Sequence, residues 1–325
     1  MSGTQYPFGI PMLGGVGGVP YPYTGNYWFV KPSSGLDGNS GKTPKRAFKT
    51  VAHALDKATA NNNDVIVLIS ESNTAASTTD YQSTSLAWNK DLTHLIGVGA
   101  PSPFSNRARI AQLSTATAVT QLVNVSANGC HFANFSIFQG VADATSLVAL
   151  KVTGTRNVFD NMHIAGMGDT AKTQSVVGAA SLWLSAASEN RFRHCTIGLD
   201  TAVRDADGTE ILCEAASSRN VFEDCLIDSW IDAAGFAAVT IGATGIDRGL
   251  YFKNCLFMAK STNKAIGQTS VFSIPAISQG AIVLQNSFAF SDGGAVDWDS
   301  NNRGIIWNNS VAAAVSAAGG IMTGQ

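Results

Sequence analysis

Arg191-Phe192-Arg193-His194-Cys195-Thr196-Ile197, Val221-Phe222-Glu223-Asp224-Cys225-Leu226-Ile227 and Tyr251-Phe252-Lys253-Asn254-Cys255-Leu256-Phe257 are three copies of one pattern. Upstream the pattern recurs as His131-Phe132-Ala133-Asn134-Phe135-Ser136-Ile137 and Val158-Phe159-Asp160-Asn161-Met162-His163-Ile164. Fainter copies follow at Val283-Leu284-Gln285-Asn286-Ser287-Phe288 and Ile306-Trp307-Asn308-Asn309-Ser310-Val311. Aligned on Phe132, Phe159, Phe192, Phe222, Phe252, Leu284 and Trp307, the steps are 27, 33, 30, 30, 32 and 23 residues. A period of this size marks stacked units, each too small to bury a core alone.

Each unit carries a second apolar segment about ten residues before the aligned one. These are Leu122–Val125, Leu147–Val152, Leu182–Leu184, Ile211–Cys213, Val239–Ile241 and Val271–Ile274. Short strands at this spacing with no helix between them exclude doubly wound βαβ units. They can coil, each strand lying on its equivalent one turn later, which predicts an all-β, single-stranded parallel β-helix of about seven or more coils. Phe132 through Trp307 then stack inside, and Cys195, Cys225 and Cys255 form an interior column. Asn134, Asn161, His194, Asp224, Asn254, Asn286 and Asn309 share one turn position, where short polar side chains bond the backbone and their stacked neighbours.

Residues 1–30 read as an extended N-terminal anchoring arm. They hold seven glycines, four prolines and no charged residue. Such a segment cannot form its own core, and its aromatics Tyr6, Phe8, Tyr21, Tyr23, Tyr27, Trp28 and Phe29 suit a partner surface. Residues 31–64 read as an entry loop and capping helix, with Phe48, Val51, Ala52, Leu55 and Ala58 at helical spacing. Residues 65–325 form the β-helix, opening with the doubly buried run Val65–Ile69. The uncharged, Ala/Gly-rich residues 311–325 close the last coil or join an interface.

Asp37-Gly38-Asn39-Ser40-Gly41, then Pro44, Phe48-Lys49-Thr50-Val51, Ala54-Leu55 and Ala58, resemble the entry segment of pectate-lyase-like right-handed β-helix proteins. The Phe-x-Asn-Cys-x-Ile coils fit the same superfamily. More narrowly, the Gly/Pro arm, this loop and Leu95-Ile96-Gly97-Val98-Gly99-Ala100-Pro101 resemble β-helix structural proteins of tailed bacteriophages. That resemblance implies a homotrimer on the virion, as capsid decoration on the major capsid protein or as a tail appendage.

Charged residues make up 14% of the 325 residues, against about 25% in typical soluble domains. The shortfall fits a surface covered by neighbouring copies in a symmetric oligomer. A net charge of −2 and a pI near 6.2 leave no footprint for nucleic acid. No apolar run approaches a membrane span, and no signal peptide is evident. Five unpaired-looking cysteines and five histidines without ligand spacing point to no metal, disulfide framework or cofactor.

The catalytic reading rests on an acidic cluster. Asp200, Asp205, Asp207 and Glu210 lie near Glu223, Asp224, Asp228 and Asp232 one coil on, with Arg204 among them as a base or clamp. Paired carboxylates are what glycoside hydrolysis requires, but no segment matches a lyase or hydrolase motif, so the expectation is a non-catalytic protein. Gly41-Lys42-Thr43 fails as a phosphate loop, because Leu36 stands where a glycine is needed. Asp37-x-Asn39-x-Gly41 reads as a tight turn rather than half a calcium loop. Lys42, Lys45, Arg46 and Lys49 are the basic cluster, a contact for an acidic surface. Trp183 and Trp307 read as core, and Trp230 as a sugar platform or interface residue.

Overall fold

The computed structural model describes residues 24–74, 79–100, 102–169, 176–262, 264, 266–274, 280–294, 296–299 and 305–308. Its strands form three parallel sheets, taken in the order a coil visits them as A, B and C. Sheet A has ten strands and sheets B and C have eight each. The result is a parallel β-solenoid with a single α-helix among the described residues.

Sheet A carries the repeat in the register that the alignment predicts. Phe132, Phe159, Phe192, Phe222, Phe252, Leu284 and Trp307 are successive partners. The five phenylalanines form one stack, with ring centroids 4.5–5.0 Å apart and planes within 12° of parallel. Burying each ring stabilises by about 1.5–3 kcal/mol. The step from 27 to 33 residues is absorbed in the turns, because strand pairing admits no slip without turning every side chain to the wrong face.

Two turns set the cross-section. Between sheets A and B the chain bends at a left-handed residue, Asn134, Asn161, His194, Asp224, Asn254 or Asn286, with φ between 48° and 62°. Asn and Asp tolerate that conformation because their side chains bond locally. Asn161 donates to Asn134 and Asn254 to Asp224, each at 2.9 Å. Asn309 lies outside the described residues. Cys195, Cys225 and Cys255 line the interior beneath this turn, and all five cysteines are buried and free.

The second turn, from C to A, holds a buried ladder of Asn157, Asn190 and Asn220. The Asn157 N–H donates to Asn190 Oδ1 and the Asn190 N–H to Asn220 Oδ1. Their amide groups donate to the carbonyls of Ala127, Gly154 and Ala187. Each side chain thus satisfies backbone groups that the turn would otherwise bury unpaired.

The N-terminal end differs from the expectation in two places. Tyr27–Val30, within the stretch read as the arm, is a strand of sheet A, paired with Val65–Leu68. The helix runs Val51–Lys57, since Phe48 instead bridges to Val30. Thr50 caps it by accepting from the His53 N–H, and Val51, Ala54 and Leu55 are its buried face. Lys90 donates to the carbonyls of Leu55, Asp56 and Ala58 at its other end, where a cation suits the helix dipole. Residues 31–47 fold over the outer face of sheet A, packing Ala47 on Phe29, Val65 and Val67. This cover explains the doubly buried run at Val65.

Candidate functional site

On sheet B, Ile110, Ile137, Ile164, Ile197 and Ile227 point inward and are buried. Strand alternation sends their neighbours outward. Among the described residues a cleft opens on that outer face, with a volume of 370 Å³ and a lining that includes Phe104, Ser105, Arg109, Ser136, Phe138, His163, Leu199, Asp200 and Thr201.

Three devices shape it. The loop between sheets A and B around Phe104 is pinned from beneath. The Ser105 N–H donates to His163 Nδ1 at 2.9 Å, and Asn106 Nδ2 donates to the Asn161 carbonyl at 3.1 Å. With Nδ1 accepting, the His163 proton sits on Nε2, which donates to the Gly198 carbonyl at 2.9 Å. Burial, chiefly, lowers the His163 pKa and keeps the ring neutral. Phe104 stands edge-on to that ring, 6.0 Å away.

Opposite, the Arg109 guanidinium lies 4.4 Å above the Phe138 ring. Its Nε is buried without a hydrogen-bond partner. Among the described residues, no carboxylate stands within ion-pairing distance of it. Desolvation lowers its pKa.

The third device is a bulge. Strand Thr196–Arg204 shifts register between Leu199 and Val203. Gly198, at φ +110°, admits it, since a Cβ there would meet the Asp228 carbonyl at 2.1 Å. The bulge turns Asp200 outward to the cleft's rim and Arg204 inward.

The acidic residues singled out in the sequence do not form one cluster. Asp200 and Asp228 converge on Lys260, at 2.8 and 3.2 Å. Burial raises the Asp228 pKa against the pull of Lys260. Burial also works against the charge on Lys260, but Asp200 and Asp228 outweigh it and raise its pKa. Glu210 is wholly buried in an ion pair with Arg204 at 2.7 Å. It also accepts from Ser181 and Ser229, while Arg204 donates to the carbonyls of Gly166, Met167 and Ala202. Neither is placed to act as acid, base or clamp at the surface. Glu223 pairs with Arg191 on sheet A, and Asp224 belongs to the outer ladder. Asp207 and Asp232 are exposed, and Asp205 turns back on the Ala206 N–H.

Tyr6, Phe8, Tyr21 and Tyr23 lie outside the described residues. Trp28 is held at home: Nε1 donates to Asp64, its ring stacks on Phe48, and Lys42 Nζ sits 3.4 Å above it. Lys42 is therefore partnered, while Lys45, Arg46 and Lys49 are exposed. Asp37 accepts from the N–H groups of Lys49 and Thr50, and Asn39 donates to the Ala47 carbonyl. Trp183 corrects the core reading. It alternates outward between buried Leu182 and Leu184, with Lys151 Nζ 3.7 Å from its ring. Trp230 is likewise an outward, half-buried residue of strand Leu226–Ile231.

Phe104, Arg109 and Phe138 escaped the sequence reading. Their coils lack the Phe-x-Asn-Cys pattern or leave the loop outside it, so no repeat position flagged them. Among the described residues no helix is long and apolar enough to cross a membrane.

The chain matches no protein-family model and no curated protein. Among solved structures it is similar to the pectate lyase Pel9A, with a TM-score of 0.57 at 14% identity, covering 82% of this chain and 64% of that one. It is also similar to a rhamnogalacturonan lyase, with a TM-score of 0.54 at 15% identity, covering 82% of this chain and 69% of that one. The chain thus spans less than two thirds of the Pel9A structure. At such identities the likeness is one of fold, the right-handed parallel β-helix.

Proposed function

We propose that this chain is a non-catalytic structural protein of a tailed-bacteriophage virion. In this reading it is a homotrimeric capsid decoration protein held to the major capsid protein by its N-terminal arm. The observation that supports it most is how the body uses its charged groups. Glu210 and Arg204 neutralise each other inside a coil, and Asp200 and Asp228 are tied to Lys260. In this reading the ladders and stacked rings serve the stiffness of a structural rod. The aromatic, uncharged arm joins the rod at the end that carries exposed Lys45, Arg46 and Lys49, which suit an acidic shell.

The test is the mass of the purified chain in solution, with and without residues 1–23, beside co-sedimentation with particles lacking it. The truncation stops short of strand Tyr27–Val30 and leaves the solenoid whole. We expect three chains per complex in both forms and particle binding only by the longer one. A monomer, or a truncated chain that binds as well as the longer one, would overturn the proposal.

A second reading, a tail fibre or tailspike component that binds or depolymerises host surface polysaccharide, draws on the sheet B cleft. The fold is also that of enzymes named for pectate and rhamnogalacturonan. Release of oligosaccharides from bacterial surface glycans would favour it over the first.

A further inference from the structure

We propose that copies of this chain meet through the outer faces of sheets A and B in the coils that carry Phe222, Phe252 and Leu284, face A of one copy lying on face B of the next with the rods parallel. The proposal rests on the homotrimeric reading and adds to it the surface that makes the contact.

Three observations carry it. First, both faces turn apolar at the same coil. On the outer side of sheet A one column runs His131, Val158 and Arg191, then Val221, Tyr251 and Val283. On the outer side of sheet B another runs Ser136, His163 and Thr196, then Leu226, Leu256 and Phe288. Met258 and Phe290 form the next column on that face. The two columns point outward from different sheets, so packing of the interior does not require them to change together. Tyr251 is 37% exposed, Phe288 55% and Phe290 39%. Exposed apolar side chains gathered in this way mark contact surfaces.

Second, the two faces match coil by coil. They adjoin at a one-residue corner, Asp224, Asn254 or Asn286, so a copy offers face A to one neighbour and face B to the other. A closed ring whose axis runs along the rods relates its copies by rotation alone, and each coil meets the same coil of its neighbour. Val221, Tyr251 and Val283 then meet Leu226, Leu256 and Phe288, apolar on apolar. One coil earlier, Arg191, exposed beyond its pair with Glu223, meets Asp200, exposed beyond its pair with Lys260. Unlike charges at that point fix which face meets which.

Third, the opposite end of the rod is closed to such contact. Residues 31–47 cover the outer face of sheet A over Phe29, Val65 and Val67. The copies therefore touch along the later coils, and Lys45, Arg46 and Lys49 stay exposed at the other end for an acidic surface.

The experiment reads the mass of the full chain by light scattering during gel filtration, for the parent and for Tyr251→Glu, Phe288→Glu and Val177→Glu. All three positions are exposed, so the interior stacks are untouched, and urea midpoints check that each variant folds. We expect three chains for the parent and for Val177→Glu, whose side chain sits on the connection between sheets B and C, off both faces. Tyr251→Glu and Phe288→Glu should each dissociate at concentrations about tenfold or more above the parent's. An equal mixture of those two should recover a two-chain species, because one intact face A still meets one intact face B. Phe290→Glu repeats the face B test, and Val283→Glu the face A test, should either variant misfold. Dissociation by the face B variants alone would mean that face B meets itself and would overturn the pairing, as would a mixture that stays monomeric. Three chains in every variant would overturn the surface and leave the homotrimer standing. A parent that is a single chain would remove both.

Discussion

Asp80 and Asp64 are two buried carboxylates with opposite answers to burial. Asp80 accepts from the Val51 N–H and from Gln82. Burial nonetheless dominates, and with the nearby Asp37 charge it raises the pKa from 3.8 to about 6. A carboxyl raised on folding contributes stability that is full below its unfolded pKa and lost as pH rises through the folded one. The fold should therefore lose stability between about pH 4 and 7, by at most about 3 kcal/mol. Asp80→Asn should flatten that stretch of the denaturation midpoint against pH and stabilise the protein at pH 8. An unchanged slope would show that Asp80 stays charged in the fold. At Asp64 burial also raises the pKa, but hydrogen bonds from Thr59, Asn26, Trp28 and Asn62 outweigh it and leave it lowered. That stability is present above the ordinary carboxylate range and lost as pH falls through the lowered value. Asp64→Asn should cost about 1–3 kcal/mol at pH 7, shrinking towards pH 2, as urea titrations at the two pH values would read. Neither role is legible in the sequence. Asp64 is a single acid before an apolar run and Asp80 one within a polar stretch, and only the fold reveals which one gathers donors.

The two asparagine ladders show how differently one residue type can serve an element. The outer ladder was visible from the aligned repeats, because Asn, Asp and His share a turn position that requires positive φ. The inner ladder of Asn157, Asn190 and Asn220 also has a fixed offset, two residues before Phe159, Phe192 and Phe222. The signal was present, but the two neighbouring coils carry Cys130 and Leu250 there, which blurs it. Burial separates the two energetically. Asn190→Ala strips partners from the Asn157 N–H and the Gly154 carbonyl inside the turn, and should cost roughly 2–5 kcal/mol. Asn161→Ala on the outer ladder breaks one half-exposed bond and adds a left-handed alanine, for about 1–2 kcal/mol. Urea midpoints of the two variants, measured together, check the ranking. Equal losses would mean that the inner turn relaxes or admits water.

At the scale of the molecule, the fold was legible because a solenoid repeats its constraints. Seven aligned positions determine three sheets once strand pairing is parallel. The cleft was not legible, because it forms where the repeat is interrupted, by the loop at Phe104 and the bulge at Gly198. This division predicts which cuts the chain tolerates. Val221 pairs with Tyr251 and Phe222 with Phe252, so deleting residues 221–250 removes one whole coil. Residues 251–253 would then lie on 191–193, and the Phe stack, the turn positions and the sheet order would stay in register. In a nearest-neighbour solenoid that deletion removes one unit and one interface. The shortened chain should fold cooperatively, with a melting temperature within about 10 °C of the parent, and keep its β-rich circular dichroism. Deleting residues 221–235 removes half a coil, brings sheet C residues against sheet A, and should yield an insoluble chain. Arg109, Phe138 and His163 lie in earlier coils and are untouched by the whole-coil deletion, whereas the bulge of strand Thr196–Arg204 loses its partner strand. Loss of folding in both deletions would mean that stability is shared across the rod rather than held coil by coil.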